Sequence, residues 1–381
     1  MLALCWRSLD CGWHSYKVDK NSMRGGIDRL LLMAVLLLVG FGVAMVFDAS
    51  VADATRTFND KFFFVKRQLV WITLGLLSMT ITSFVNYKFW EKISVPLFGA
   101  TILLLIVVLI PGIGVSALGA SRRIGVGFLG VQPAEIAKLS LVIFLSASLS
   151  RDNSLIRFLV PVGIAALLIV IEPDLGTTTI VATTAFAVFF ASNAPLAQVG
   201  LIGGSGFLAA LVLALSSSYR RERLVTFLNP SFDTINSSYH VRQILIALGS
   251  GGVWGLGIGQ SRQKYLYLPE PATDSIFAII AEELGFIGAT ILILAFLFVF
   301  LRGFKIALSA EDSFGRLLAT GITSWLAIQT LINLSAMVAL VPLTGVPLPL
   351  VSYGGSSLLV TLTAIGILLN ISKHRTTINR Q

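Results

Sequence analysis

Long apolar runs separated by short polar breaks dominate the pattern of this chain. Ten runs are close to the length that crosses a hydrocarbon core of about 30 Å as a helix. They cover approximately residues 30–48, 68–85, 95–111, 132–150, 157–172, 178–193, 197–216, 275–301, 315–337 and 356–371. The sequence lacks the alternating pattern of strands, and lipid tolerates no unpaired backbone. The pattern therefore predicts an all-α, polytopic membrane protein with about ten transmembrane helices.

The longer polar stretches indicate how the chain is organised. Residues 1–29 are predicted to form an N-terminal tail, residues 30–372 a single transmembrane domain, and residues 373–381 a C-terminal tail. One long connection, at about 217–274, joins the seventh and eighth predicted helices. An even number of spans places both termini on the same side of the membrane.

The composition supports this class and excludes others. Hydrophobic residues make up 55% of the chain and charged residues 12%, whereas a soluble domain carries about 25% charged residues. The formal net charge of +9 is not a nucleic-acid signature here, because Lys and Arg in a membrane protein first report its orientation. We therefore predict no nucleic-acid partner.

Basic residues in the tails and short connections favour cytoplasmic termini. This set comprises Arg7, Lys17, Lys20, Arg24, Arg29, Lys88, Lys92, Arg151, Arg157, Arg302, Lys305, Arg316, Lys373, Arg375 and Arg380. The long connection would then face outward, although it is also basic, with Arg220, Arg221, Arg223, Arg242, Arg262 and Lys264. Long loops follow the positive-inside rule poorly. An anionic headgroup or phosphate would explain this outward charge, and simple solubility of the loop explains it equally well.

Two ionisable residues lie inside the fourth predicted span. Glu135 and Lys138 are three residues apart, so they share one face of a helix and are close enough to pair. Ionisable residues within a span indicate function by default. A structural ion pair that holds this helix to its neighbours is an equally good explanation.

A tight turn with two carboxylates, Glu172-Pro173-Asp174, lies between the fifth and sixth spans. The carboxylates could bind a cation or cap the following helix. Capping is the commoner use of such residues in a turn.

The long connection contains glycines at 249, 251, 252, 255, 257 and 259, followed by Arg262 and Lys264. Glycines allow backbone N–H groups to approach a ligand, and the two basic side chains could contact phosphate. A flexible loop without a ligand would show the same pattern.

Asp274 ends the long connection immediately before an apolar helix, where Asp is a favoured N-cap. A capping box is not complete, because Phe277 stands where Glu or Gln is expected. A second loop, Pro342 to Pro349, lies on the same side by the count of spans. Its three prolines make it stiff, which suits either a cavity wall or a rigid linker.

Together these motifs resemble the SEDS family (shape, elongation, division and sporulation) of polytopic peptidoglycan glycosyltransferases. The matching segments follow the family's order from about residue 30 to residue 372. They are Gln132-Pro133-Ala134-Glu135 with Lys138, Glu172-Pro173-Asp174-Leu175-Gly176, Leu268-Pro269-Glu270 with Thr273-Asp274, Glu282-Glu283-Leu284-Gly285, and Pro342-Leu343-Thr344-Gly345. The form of residues 261–270 is more similar to the division branch than to the elongation or sporulation branches.

The resemblance implies polymerisation of lipid II, with Asp274 as the general base and undecaprenyl pyrophosphate as the leaving group. The residues it suggests for binding the substrate or pyrophosphate are Arg122, Arg262, Lys264, Glu270 and Thr273. Glu135 and Lys138 would line or brace the cavity, and the second loop would line it through Pro342, Thr344, Gly345 and Ser352. A divalent cation, Mg²⁺ or Mn²⁺, could assist, but no metal ligands are assigned.

The resemblance further implies a class B penicillin-binding protein as partner, together with other membrane proteins of the division complex. The expected location is the inner membrane at the septum, with the active site outside. The chain departs from the family's usual pattern at Arg123, where Trp is usual, and at Ser275, where Phe is usual. Two alternatives remain: a lipid II flippase and a non-catalytic division scaffold.

Overall fold

The computed structural model describes residues 26–110, 115–117, 120–125, 130–216, 237–265 and 267–374. These residues form twelve α-helices and one antiparallel hairpin. In chain order they are α1 Arg29–Phe58, α2 Phe63–Phe84, α3 Lys88–Lys92, α4 Ser94–Val108, β1 Val115–Ala117, β2 Ala120–Arg123, α5 Pro133–Leu149, α6 Leu155–Ile171, α7 Leu175–Ala191, α8 Leu196–Leu215, α9 Ser237–Gly251, α10 Ile276–Leu308, α11 Ser313–Met337 and α12 Gly355–Ile371.

Each of the ten predicted spans coincides with one of these helices, so the all-α prediction is confirmed. Helices α1, α2, α10 and α11 are long and apolar enough to cross a membrane, and five shorter helices are also apolar. Helices α3 and α9 are additional. The short α3 lies between α2 and α4, whereas α9 lies within the predicted long connection. The first part of that connection, residues 217–236, is outside the described residues.

Helix α5 lies in the interior of the bundle. Of its 17 residues, 14 are buried, and it contacts α4, α6, α7, α11 and α12. Pro133 opens the helix in its first turn, where the missing N–H has no helical acceptor to lose. The interior position explains how this helix can carry two ionisable side chains that avoid lipid.

Helix α10 is broken at Gly285, which has φ 66° and ψ −167°. The glycine-rich segment after α9 supplies the backbone partners that the break removes. The N–H groups of Leu256 and Gly257 donate to Glu282 O and Glu283 O, at 3.0 Å each, and Phe286 N–H donates to Gly252 O at 2.9 Å. This arrangement satisfies the polar backbone of a discontinuous helix.

Two glycines of this segment, Gly251 and Gly255, serve close packing. A side chain at Gly251 or Gly255 would collide with the backbone of α10 at Ala281 or Glu283. The hypothesis that these glycines admit a ligand does not fit these two positions, because the backbone of α10 already occupies the space.

Candidate active site at the Asp274 loop

Asp274 lies in the turn immediately before α10. The helix begins at Ile276 with Ser275 at the N-cap position and without a side-chain cap hydrogen bond, so Asp274 is not the N-cap residue, which was the alternative to a catalytic role. Thr273 Oγ1 lies 3.2 Å from Asp274 Oδ1 and 3.0 Å from Glu270 Oε2. The half-buried Asp274 side chain is therefore presented by the loop rather than used to begin the helix.

The second loop reaches the same place, as the count of spans predicts. A Cβ at Gly345 would lie 3.9 Å from Asp274 Oδ2, and Gly345 has φ 68°, a conformation that strains other residues. Tyr353 N–H donates to Ala272 O at 2.8 Å, which joins the two loops through their backbones. Gly345 therefore lies in van der Waals range of the Asp274 carboxylate, and its positive φ favours glycine at this position.

Helix α11 holds both loops from below through two amide side chains. Asn333 Nδ2 donates to Asp274 O and to Val346 O, at 2.8 Å each. Gln329 Nε2 donates to Pro347 O at 2.9 Å. The sequence reasoning missed both amides, although polar residues four apart in an apolar helix are a recognisable signal, because they share one helical face.

The remaining predicted residues of the second loop have different surroundings. Pro342 and Thr344 are partly buried. Thr344 packs so closely on Gly176 of α7 that a Cβ at position 176 would lie 2.7 Å from Thr344 O. Ser352 is buried, and its Oγ accepts a hydrogen bond from Leu348 N–H at 2.9 Å. Ser352 therefore shapes the loop from within.

Glu135 and Lys138 form an ion pair in the interior, with Oε2 and Nζ 2.7 Å apart. The ammonium of Lys138 also donates to Gln329 Oε1 at 2.9 Å and lies 5.1 Å from the ring centroid of Trp325. Because Gln329 binds the second loop, this pair is connected through α11 to the loop beside Asp274. Whether the pair lines a substrate cavity stays a prediction.

The turn with two carboxylates also packs against the second loop. Asp174 caps α7, because its Oδ1 accepts Thr177 N–H at 2.9 Å. Arg122 donates to Glu172 O at 3.0 Å and to Pro173 O at 2.7 Å. The guanidinium thus supports the turn, and contact between Arg122 and pyrophosphate stays a prediction.

Glu172 lies in this turn after the end of α6, and its carboxylate is unusual. The residue is buried, and neither side-chain oxygen has a hydrogen-bond partner among the described residues. Burial raises the pKa of Glu172 to about 8, the charge of Asp174 adds to the shift, and Arg122 opposes it. A buried carboxyl group without partners is more stable when it is protonated.

Lys264 does not have the surroundings predicted for a pyrophosphate ligand. Its ammonium lies 2.7 Å from Asp48 Oδ1 on α1 and 2.9 Å from Glu283 Oε1 on α10, and its side chain is 2% exposed. Burial lowers the pKa of Lys264, but the hydrogen bonds to the two carboxylates outweigh it and raise the pKa. The ammonium is therefore committed to an anchor within the fold.

The neighbouring predicted residues are accessible. Arg262 and Glu270 are exposed, and the backbone N–H of Arg262 donates to Glu282 Oε1 at 3.1 Å. Glu282 also accepts hydrogen bonds from Ser261 Oγ and Gln263 N–H. Glu282 thus fixes the backbone of this turn, while the side chain of Arg262 remains on the surface.

Tyr353 is a further residue of this site that the sequence reasoning did not single out. Burial raises the pKa of Tyr353, and the positive charges of Arg67 and Arg123 oppose that shift. Its ring meets Phe64 of α2 edge-on, with centroids 5.3 Å apart. Two guanidinium groups therefore lie near the tyrosine whose backbone holds the Asp274 loop.

The described residues contain no group of three or more His, Cys, Asp or Glu side chains that could hold a metal ion. No residue is therefore assigned as a ligand of the divalent cation that the resemblance allows.

Comparison with known proteins agrees with this arrangement. Residues 28–377 match the family described as cell cycle protein, which comprises FtsW, RodA and SpoVE. The chain belongs to this family. Stage V sporulation protein E of Bacillus subtilis is 44% identical over 358 residues, which cover 91% of this chain and 97% of that protein. The probable peptidoglycan glycosyltransferase FtsW of Escherichia coli is 41% identical over 355 residues, covering 90% and 85% of the two chains.

Solved structures of the FtsW, RodA and SpoVE family share the fold. A chain from a structure entitled structural coordination of polymerization and crosslinking by a peptidoglycan synthase complex has a TM-score of 0.75 and 28% identity. The similarity covers 92% of this chain and 99% of that one. The polytopic membrane architecture predicted from the apolar runs is thus confirmed.

Proposed function

We propose that this protein is a peptidoglycan glycosyltransferase that polymerises lipid II with Asp274 as general base. The observation that carries the proposal is the convergence of two loops on the Asp274 carboxylate, which Asn333 and Gly345 bring together. The names of the relatives, with 37% to 41% identity for those called peptidoglycan glycosyltransferases, support the same reaction.

In this mechanism lipid II is both donor and acceptor. The 4-hydroxyl group of the acceptor sugar attacks the anomeric carbon of the donor, which carries the lipid pyrophosphate. A new C–O bond forms, the bond to the lipid pyrophosphate breaks, and the anomeric configuration inverts. Asp274 accepts the hydroxyl proton as the oxygen becomes bonded and later releases it to water. The leaving pyrophosphate keeps the electron pair of the broken bond, and nearby positive charge stabilises it.

The pyrophosphate contacts are assigned to Arg262 and Arg122, with Glu270 and Thr273 shaping the loop around the sugars. Lys264 is moved from this set to an anchoring role, because two carboxylates already hold its ammonium. Glu135 and Lys138 brace the interior beneath the second loop.

Both termini are proposed to lie in the cytoplasm, with the Asp274 loop outside, on the basis of the basic short connections. Single cysteines at Glu311 and Glu270, in a chain whose Cys5 and Cys11 are replaced by Ser, test this topology. An impermeant thiol reagent should label position 270 but not position 311 in intact cells, and the reverse pattern contradicts the proposal.

A class B penicillin-binding protein is the proposed partner, and the division septum is the proposed location. The structure of a related chain in a complex for polymerization and crosslinking supports the partner. The form of residues 261–270 favours the division branch, whereas the 44% identity to the stage V sporulation protein favours the sporulation branch. Localisation of a fluorescent fusion in dividing and sporulating cells distinguishes these roles.

The decisive experiment replaces Asp274 with Asn, which keeps the size of the side chain but cannot accept a proton. The loss of a general base lowers the rate about 10²–10⁴-fold. Asp274→Asn should abolish polymerisation of purified lipid II by the protein with its partner, while expression, thermal midpoint and lipid II binding remain near those of the parent. Near-parental glycan synthesis would refute the role of Asp274.

The flippase alternative has its own outcome in the same experiment. If neither protein polymerises lipid II with the partner present, but the parent moves fluorescent lipid II across vesicles, the protein is a transporter. If only the complex forms and neither activity is found, the scaffold alternative is supported.

A further inference from the structure

The segment from 244 to 261 contains no charged residue, and Arg242 and Arg262 flank it. Its first part belongs to α9 and its second part is the glycine-rich segment after that helix. Six of its large apolar side chains are exposed. They are Leu245, Ile246, Val253, Trp254, Leu256 and Ile258, with Trp254 82% and Ile258 75% exposed. A continuous apolar surface of this kind marks contact with a membrane or another apolar surface.

Several backbone N–H and C=O groups of this segment are hydrogen-bonded within the protein, as an environment without water requires. Beyond the three hydrogen bonds at the break of α10 already described, Ile287 N–H donates to Val253 O at 3.3 Å. Gly255 N–H donates to Gly251 O at 2.8 Å. Non-helical backbone is tolerated at membrane depth only where it is satisfied by protein in this way.

The exposed surface of the segment is continuous with that of a transmembrane helix. Helix α9 packs on α10 through its buried face, which includes Ile244 and Ala247. At the break, the segment lies beside the exposed Phe286, and the exposed face of α10 continues through Ile291 and Leu294. The exposed face of a helix that crosses the membrane contacts acyl chains, and the backbone of the segment is hydrogen-bonded to α10 beside this face.

We infer that residues 244–261 form a re-entrant segment, which enters the bilayer from the side of the Asp274 loop and returns to that side. Helix α9 descends into the lipid, and the glycine-rich segment returns along the break of α10. Arg242 and Arg262 lie at the two ends and are exposed, so their charges stay at the membrane surface while the uncharged stretch between them enters the bilayer. The occupant of the exposed face is the hydrocarbon of that leaflet, rather than water or a partner protein.

Single cysteines at Trp254 and Ile258, with Cys5 and Cys11 replaced by Ser, provide the test. Leu294→Cys on the exposed face of α10 is the lipid control, and Glu311→Cys in the connection after α10 is the aqueous control. Each variant is labelled with bimane in detergent and reconstituted into nanodiscs, with or without lipids that carry a nitroxide on the acyl chain. Unlabelled samples in nanodiscs are treated with a charged thiol reagent.

Positions 254 and 258 should lose the same fraction of fluorescence as position 294 when the nitroxide lipid is present. They should react with the charged reagent about tenfold more slowly than position 311, because a polar reagent enters hydrocarbon at a large free-energy cost. Val253→Cys gives a second measurement if either variant fails to fold, as judged by gel filtration and thermal midpoint.

Two results would overturn the inference. Rapid reaction at 254 and 258, without quenching by the nitroxide lipid, would place the segment in water. Rapid reaction that is suppressed only when a purified penicillin-binding partner is added would assign the apolar face to that protein.

Discussion

Lys138 and Lys264 are both buried lysines, but the carboxylates that hold them come from different distances along the chain. Lys138 pairs with Glu135 three residues away on the same helix, at 2.7 Å, and its second acceptor is the amide of Gln329. Lys264 lies between Asp48, 216 residues away, and Glu283, 19 residues away. One lysine has a single carboxylate partner and the other has two.

This difference teaches what each group contributes to the fold. Helical geometry alone brings Glu135 to Lys138, so the pair exists wherever α5 forms. Lys264 joins three separate parts, α1, the turn after the glycine-rich segment and the first part of α10, and can be formed only by tertiary folding. The turn that Lys264 fixes leads directly to Asp274, so its loss should reach the proposed site more strongly.

The largest effect is expected for Lys264→Met, which leaves the buried carboxylate of Glu283 and the half-buried carboxylate of Asp48 without their cation. Removing one partner of a buried pair costs about 3–5 kcal/mol, and two stranded carboxylates place this variant at the upper end of that range or beyond. The thermal midpoint in detergent should fall sharply. Adding Asp48→Asn to Lys264→Met should recover part of the loss, because one carboxylate is then neutral.

The matched control for this experiment is Lys66→Met. Lys66 lies 2.8 Å from Asp60, but both side chains are exposed, and exposed pairs contribute little to stability. The thermal midpoint of Lys66→Met should equal that of the parent. An equal fall for Lys66→Met and Lys264→Met would contradict the contrast between exposed and buried lysines.

A smaller loss is expected for Glu135→Gln, because Lys138 keeps the Gln329 oxygen and the Trp325 ring as neighbours. We expect a cost near the lower end of about 3–5 kcal/mol, measured as a fall in thermal midpoint. The double variant Glu135→Gln with Lys138→Met removes both charges and should be more stable than either single variant. No recovery in the double variant would show that the two charges do not act as a pair.

Activity of the double variant sharpens the comparison. Recovered stability without recovered polymerisation of lipid II would indicate that the pair acts on the substrate as well as on the fold. Recovery of both would restrict the pair to bracing α5 and α11.

Glu172 extends the comparison to a buried carboxyl group that has no lysine partner. Its pKa is raised from 4.5 to about 8, so the folded state binds more protons than the unfolded state between these values. Stability contributed by the protonated group is therefore lost as the pH rises through that window. Glu172→Gln cannot ionise, so its thermal midpoint should differ least from that of the parent at low pH.

The measurement is the thermal midpoint of the parent and of Glu172→Gln between about pH 5 and about pH 9. The amount by which the thermal midpoint of the Gln variant exceeds that of the parent should grow as the pH rises through this range and then level off. A difference that does not change with pH would show that the carboxyl group titrates at the same pH in the folded and unfolded chains.

The ten helices could be predicted from the sequence because each apolar run is by itself long enough to indicate a helix in the membrane. The sequence was also sufficient for the spacing of Glu135 and Lys138. It was not sufficient for Lys264, because nothing near that residue indicates that Asp48 and Glu283 surround it. Helix α9 and the break at Gly285 were missed for a related reason. Glycines that serve close backbone packing look the same, in a sequence, as glycines in a flexible loop.

The contact between α2 and α12 has a consequence for how the protein is made. Ser78 and Thr363 share a hydrogen bond at 2.6 Å although they are 285 residues apart, and Gly366 allows α12 to approach Met79 and Thr82 closely. At a synthesis rate of about 5–20 residues per second, α2 waits roughly 15–60 s for this partner. During that time its hydroxyl groups depend on their own helix and on the insertion machinery. The bundle closes only when the last helix has left the ribosome.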